Sequence, residues 1–249
     1  IFRIMVDKAN NLWISIRPKG ICILYQSKKT TEFYSNDKVD KKFITNNWIE
    51  RFYEDRQGNI WLGTASAGLK LFNPKIKTFK QYLPDPANPY SFRVRSIFED
   101  NNGNLFVGTR NGLYMLDLHS DKFIHYAHSS HDFSVLSQNS IMCNFIDKTG
   151  VLWLGTHSGG LNYSDLNHKK FVHYKGKKDN TYFLCTNNVY AIIEDFSKNL
   201  WVGTDYGLNF LNRKTRRFTY YHSNPPDKNS ISFNDIKAFA LDDKNNLWI

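Results

Sequence analysis

An all-β fold assembled from repeated four-stranded antiparallel units follows from three features of the sequence. An aspartate is followed six positions later by a large aromatic residue in six places: Asp7 and Trp13, Asp55 and Trp61, Asp100 and Phe106, Asp147 and Trp153, Asp195 and Trp201, Asp242 and Trp248. Those aromatic residues fall 48, 45, 47, 48 and 47 residues apart, the regular period of a repeat array. Composition agrees, because 16% aromatic residues with only three Met suits pleated, half-buried surfaces better than helical bundles.

Within one unit each element has its own signal. The links Asp55-Arg56-Gln57-Gly58-Asn59 and Asp100-Asn101-Asn102-Gly103-Asn104 put residues that tolerate a left-handed backbone where a hairpin must reverse. The apolar run Leu152-Trp153-Leu154, followed by Gly155 and Thr156, reads as the second strand. A second hairpin is expected at Gly203-Thr204-Asp205-Tyr206-Gly207-Leu208, then a third strand. A Phe-x-x-Tyr strand closes the unit, as in Phe79 with Tyr82, Phe123 with Tyr126, Phe171 with Tyr174 and Phe218 with Tyr221. Four strands in about 45 to 50 residues is the size of one β-propeller blade. The blades are expected at residues 1–45, 46–91, 92–138, 139–186 and 187–233, with a partial blade at 234–249. The first is the most degenerate: Trp13-Ile14-Ser15-Ile16 lacks the Gly-Thr step, and Thr31 stands where Phe is expected before Tyr34. The chain opens at Ile1 without an initiator Met and stops inside an expected strand at Trp248-Ile249, which reads as a piece of a longer protein.

Composition excludes some functions. No apolar run approaches the roughly 18 residues needed to span a bilayer. The net charge of +10 raises nucleic-acid binding, but the basic residues are scattered. Lys28-Lys29, Lys41-Lys42, Lys169-Lys170, Lys177-Lys178 and Arg213-Lys214 with Arg216-Arg217 mostly fall between the third and fourth strands, where charge protects outer edges from aggregation. No dense patch with interleaved aromatics appears, so no nucleic acid is expected as partner. Cys22, Cys143 and Cys185 have no metal-ligand spacing. Cys22 reads as a buried small hydrophobe, while Cys143 and Cys185 flank neighbouring first strands, close enough in the array for a bridge to be considered.

The connections between units, such as Pro84 to Pro89, Ser129 to Asp132 and Asn224 to Ser230, are long and turn-rich, and Asn139, Asn187 and Asn234 stand before the next strand. Together with Asn187-Asn188-Val189-Tyr190-Ala191-Ile192-Ile193-Glu194-Asp195, the run from Leu152 to Asn162 and Ser230-Ile231-Ser232-Phe233-Asn234, this pattern resembles the repeats of two-component regulator propellers over nearly the whole chain. That resemblance implies the periplasmic sensor region of a hybrid histidine kinase of the Bacteroidetes type. Seven blades are usual there, so about five would be an incomplete part of a larger propeller. It also implies a small-molecule or oligosaccharide ligand derived from glycans, no cofactor, no catalysis by this region, and as partners the rest of its own chain: further blades, an immunoglobulin-like domain, a membrane helix and a kinase. For the full-length protein it implies a homodimer. Enzymes of the streptogramin-lyase type and protein-interaction scaffolds of the WD type are the alternatives, although the Trp-Asp pair of the latter is missing.

Stacking the units on the aspartate separates packing from variation. Six residues before it stand Ile1, Ile49, Val94, Ile141, Val189 and Ile236, and two residues before it mostly apolar residues; both positions are expected to be core. Seven and five residues before it stand Trp48 and Glu50, Arg93 and Arg95, Ser140 and Met142, Asn188 and Tyr190, Asp235 and Lys237. Because strand side chains alternate faces, each pair is expected on one face beside the long connections. Of these, Trp48, Glu50, Arg93, Arg95, Asn188, Tyr190, Asp235 and Lys237 are the candidate ligand-binding residues, offering stacking and charge-assisted hydrogen bonds. No metal site is expected: His125, His128 and His131 are spaced by three in strand or loop geometry, and the link at Asp242 lacks the glycine and glutamate of a calcium loop. Glu50, Asp235 and His157 are the weak candidates for acid-base chemistry. The Trp positions are expected between blades, so Trp153→Ala should cost about 3–5 kcal/mol; an unchanged melting temperature would refute that placement.

Overall fold

The computed structural model describes residues 1–35, 48–100, 102–118, 120–132, 134–165, 170–176 and 182–249; Lys41, Lys42, Lys169, Lys177 and Lys178 lie outside them. The described residues form five four-stranded antiparallel sheets and one two-stranded sheet, each a simple meander. They are β1 (Arg3–Val6), β2 (Leu12–Ile16), β3 (Gly20–Tyr25) and β4 (Thr30–Tyr34); β5 (Ile49–Glu54), β6 (Ile60–Thr64), β7 (Leu69–Asn73) and β8 (Thr78–Tyr82); and β9 (Ser96–Glu99), β10 (Leu105–Thr109), β11 (Gly112–Asp117) and β12 (Lys122–Tyr126). Then come β13 (Ile141–Ile146), β14 (Val151–Thr156), β15 (Leu161–Asp165) and β16 (Lys170–Tyr174); β17 (Val189–Glu194), β18 (Leu200–Thr204), β19 (Gly207–Asn212) and β20 (Arg217–Tyr221); and the pair β21 (Ala240–Leu241) and β22 (Leu247–Trp248). This is the propeller-blade architecture expected from the repeat. The chain divides into two compact units, residues 1–125 and 126–249.

The recurring aspartate closes the first hairpin of each blade. Its Oδ1 accepts the amide four residues on: from Asn11 at 2.8 Å, Asn59 at 2.8 Å, Asn104 at 2.9 Å, Val151 at 3.1 Å, Asn199 at 2.9 Å and Asn246 at 2.8 Å. Its Oδ2 accepts the indole N–H of Trp13 at 2.9 Å, Trp61 at 2.8 Å and Trp153 at 2.9 Å. Three residues after the aspartate the backbone is left-handed in every copy, at Asn10, Gly58, Gly103, Gly150, Lys198 and Asn245, which accounts for the Gly and Asn in that link.

Oriented this way, the indole faces the next blade. In the first unit Trp13 packs with Phe52 and Phe72 of the second sheet, and Trp61 with Val94, Ile97 and Leu105 of the third. In the second unit Trp153 packs with Val189, Leu200 and Phe218. The motif glycine serves the same junction. A Cβ on Gly63 would lie 2.7 Å from Val94 Cγ1, one on Gly155 2.6 Å from Val189 Cγ1, and one on Gly203 2.8 Å from Ile236 Cγ2. At these three junctions the residue six before the aspartate therefore seats on the glycine of the preceding blade.

A glutamate beside the aspartate ties neighbours together. Glu54 Oε2 accepts the Lys8 amide at 2.7 Å, Glu99 Oε2 the Arg56 amide at 2.8 Å and, in the second unit, Glu194 Oε2 the Lys148 amide at 3.4 Å. The asparagine before each first strand has a separate task. Asn139, Asn187 and Asn234 each accept, on the side-chain oxygen, the amide eleven residues earlier, from His128, Gly176 and Ser223, and so clamp the long connections.

Some expectations need correction. Ile1 is exposed rather than core, since the first strand begins only at Arg3. Trp201 is half-buried and Trp248 is 64% exposed, because the sheet at Ala240 has two short strands instead of four. All three cysteines are free, so Cys143 and Cys185 are not bridged: Cys143 lies under Gly155 and Val189, and Cys185 beside Thr204 and Asn209. Arg213, expected as an edge charge, turns inward to Asp147 Oδ2 at 2.8 Å and Glu194 Oε1 at 3.0 Å. Because the Gly63 position admits no Cβ, Gly63→Ala should destabilise the protein by about 1–3 kcal/mol, measured by denaturant unfolding, whereas Lys198→Gly, which relieves a left-handed lysine, should stabilise it by about 0.5–1 kcal/mol.

Candidate functional site

In the first unit, one end of three consecutive sheets gathers arginines around a single acid. Arg17 follows β2, Trp48 precedes β5, Glu50 lies near the start of β5, and Arg93 follows a 3-10 turn at Pro89–Phe92 that Asn88 caps. Arg93 Nη2 donates to Glu50 Oε1 at 2.9 Å, and Arg17 Nη2 lies 3.2 Å from the same oxygen. Arg3 Nε donates to the Glu50 carbonyl at 3.0 Å. The Arg17 guanidinium also sits over two rings, 3.2 Å from the Phe2 centroid and 5.0 Å from that of Trp48, in cation-π contact. Burial lowers the Arg3 pKa, Glu50 acts in the opposite direction, and the nearby positive charge of Arg17 lowers it further.

Strict alternation does not hold at this position. Between Ile49 and Arg51 the ladder to β6 shifts register, leaving Glu50 as an extra residue; Met142 and Tyr190 are the extra residues of equivalent shifts in β13 and β17. Trp48 and Glu50, expected to share an environment, therefore differ: Trp48 is 49% exposed and Glu50 7%. A bulge adds one residue against the partner strand and re-aims its side chain, and apolar periodicity carries no sign of it.

The structure thus joins Trp48, Glu50 and Arg93, and adds Phe2, Arg3 and Arg17, which the sequence reading passed over. Arg95 is linked through its backbone, its carbonyl accepting Arg51 Nε at 3.1 Å. Four residues before the aspartate, Arg3 and Arg51 stand where later copies have Ser96, Cys143, Ala191 and Ala238. Reading that column would have found Arg3.

The remaining candidates form a separate group in the second unit. Asn188 Oδ1 accepts the Ser158 amide at 2.8 Å, and its Nδ2 donates to Asp205 Oδ2. Lys237 Nζ lies 2.6 Å from Asp235 Oδ1 and 3.4 Å from the centroid of the Tyr190 ring. Here, among the described residues, the one cation is matched by Asp235. His157 Nδ1 engages Ser158 Oγ at 3.0 Å. A cavity of about 170 Å³ beside Trp153, lined by Tyr163, Tyr174, Arg213 and Arg216, is bordered by the Arg213 that already holds Asp147 and Glu194.

Residues 43–66, 89–111 and 184–206 match the model of the two component regulator propeller. A 95-residue stretch, 36% of this chain, is 30% identical to Histidine kinase P4 of Formosa agariphila, of which it spans only 7%. The extracellular domain assigned to the hybrid two component system BT3049 of B. thetaiotaomicron is 24% identical with a TM-score of 0.71, over 98% of this chain and 38% of that one. Virginiamycin B lyase of Staphylococcus aureus shares the fold with a TM-score of 0.70 at 14% identity, over 98% of this chain and 75% of that one.

Glu50 holds like charges together, so Glu50→Gln should destabilise the protein by about 1–3 kcal/mol at low ionic strength. Thermal melts at rising salt should recover most of that loss as the guanidinium repulsion is screened. A deficit independent of salt would show that Glu50 acts through packing alone.

Proposed function

We propose that this chain is ligand-sensing propeller sequence of a hybrid two-component sensor histidine kinase, lying outside the cytoplasm and binding a glycan-derived ligand. The observation that carries the reading is the coincidence of two features. Three segments of the array match the two-component regulator propeller model, and an exposed Trp48 beside a crowded guanidinium group marks one end of the blades of the first unit. Similarity to a histidine kinase and to an extracellular domain of a hybrid two component system points the same way. Because the chain spans 7% and 38% of those relatives, the immunoglobulin-like domain, membrane helix, kinase, homodimeric assembly and periplasmic location belong to the proposal. No helix among the described residues is long and apolar enough to cross a membrane.

In this reading the region does no chemistry. Binding energy differs between two arrangements of the receptor and thereby biases a distant kinase. The lyase fold keeps an enzymatic alternative in view, but fold alone does not carry function. The acidic and basic side chains considered for it are committed elsewhere: Glu50 to Arg17 and Arg93, Asp235 to Lys237, and His157 to Ser158.

Calorimetric titration of the intact protein with a set of oligosaccharides should give saturable binding. The bound sugar should be recovered unchanged, and autophosphorylation should shift by about 5-fold or more. Formation of a sugar product by the protein would overturn the sensor reading in favour of an enzyme.

A further inference from the structure

The group around Glu50 is unbalanced in charge. Three guanidiniums meet at one acid: among the described residues the ion pairs of Arg17 and Arg93 both end on the Glu50 carboxylate, and Arg3 donates to the Glu50 carbonyl. The group in the second unit has no such surplus, since Lys237 faces Asp235. Hydrogen bonding in the first group is incomplete as well. Among the described residues, Arg17 Nε and Nη2 and Arg93 Nε are shielded from solvent without a hydrogen-bond partner, a state that buried donors generally avoid. Arg17 Nη2 reaches Glu50 in distance but not in hydrogen-bond geometry. Yet the side chains as wholes remain 29% and 36% exposed, so rotation about their terminal torsions can turn the unpartnered edges outward.

The Nε and Nη2 atoms of one guanidinium form the edge that takes a carboxylate or sulfate through two parallel hydrogen bonds. Next to that edge stands an aromatic face. Trp48 is 49% exposed, with its ring 5.0 Å from Arg17 Cζ. A pyranose stacked on an indole presents its ring substituents at the rim, where a charged substituent would meet the arginine. We propose that Arg17 and Arg93, with Trp48, form a recognition site for an acidic saccharide, one bearing a uronate carboxylate or a sulfate ester. Glu50 is the positioning residue: its single oxygen gathers both guanidiniums, and one negative charge leaves the group of three cationic. The patch is compact, and the hairpin lysines Lys28, Lys29, Lys75 and Lys77 follow the third strands of their blades, an arrangement suited to one sugar unit rather than to a nucleic-acid track.

This inference deepens the sensor reading and rests on it, and one set of titrations separates the two. The intact protein is titrated with oligogalacturonate and its methyl ester, with a sulfated galactan oligosaccharide and its desulfated counterpart, and with inorganic sulfate alone. One acidic sugar should bind at least about tenfold more tightly than its neutral counterpart, with affinity falling as salt rises. Which of the two binds distinguishes carboxylate from sulfate. Arg17→Gln and Arg93→Gln should each weaken that binding by about tenfold, while Arg93→Lys restores only part of it because the planar fork is lost. If the arginine variants fail to fold, Trp48→Ala carries the test: it should weaken saccharide binding and leave binding of inorganic sulfate unchanged. Equal binding of acidic and neutral sugars, or undiminished binding by Arg93→Gln, overturns the acidic-ligand inference while the sensor reading stands. Binding of no saccharide at all, with autophosphorylation unmoved, overturns both.

Discussion

A buried carboxylate at the end of the first strand of each four-stranded blade is the interaction on which the blades depend. An ionised aspartate cannot be taken out of water unless its oxygens are fully hydrogen-bonded, and here both are used. At Asp7, Asp55 and Asp147 one oxygen binds the amides of the hairpin, and the other receives an indole N–H from the strand that follows. At Asp147 burial pushes the pKa up, but hydrogen bonds from Thr149, Trp153 and the loop amides outweigh it and hold the group below the usual carboxylate range. Such bonds to a charged acceptor contribute about 1.5–3 kcal/mol each. Tethering the indole edge leaves its faces for the neighbouring sheet, so one side chain links loop closure, strand registry and blade stacking. In the third blade Phe106 has no N–H to give; Asp100 instead keeps the Asn104 side chain at 2.8 Å, and Phe106 stacks on Phe98 with centroids 5.0 Å apart.

Stacking within each unit is cooperative because every junction uses several independent contacts. In the first unit the contact of Gly63 with Val94, the Glu99 bond to the Arg56 amide and the insertion of Trp61 all fall between the second and third sheets. In the second unit Gly155 with Val189, Glu194 with Lys148 and Trp153 play the same parts. Repeat arrays owe their stability to such nearest-neighbour terms. The exposed Trp248 illustrates this from the other side: its Asp242 bond is long, at 3.4 Å, and it lies on a sheet of two short strands. The hairpin motif there is formed, but the packing that gives the motif its value is not.

Most of the fold was legible in the sequence because its determinants are periodic. The spacing of six from aspartate to aromatic, the left-handed third position and the Phe-x-x-Tyr strand each recur in register, and the sheets form where these place them. What the spacing did not disclose was why the residues recur. That Asn187 and Asn234 clamp a chain eleven residues upstream, and that Gly63 makes room for Val94, are matters of proximity between units of sequence. Arg213 shows the same limit, since nothing in its own neighbourhood distinguishes it from Lys214, yet two acids from two blades reach it.

The candidate site was less legible for a physical reason. The residues of the proposed site occupy positions where the period is broken, and a period-based reading treats such positions as noise or assigns them by alternation. The register shift at Glu50 defeats alternation directly, because the extra residue belongs to neither face of the regular ladder. The shift also recurs in β13 and β17, where Met142 and Tyr190 take the same place, so the bulge itself belongs to the scaffold and only its side chain varies. A scaffold that offers the same irregular position in three of its blades can carry different chemistry in each. In the first unit that position holds the acid that organises three arginines; in the second it holds a tyrosine under a lysine already paired with aspartate. In the proposed site, specificity is set by unequal filling of equivalent positions, and the unbalanced charge lies where Arg3, Arg17 and Arg93 meet Glu50.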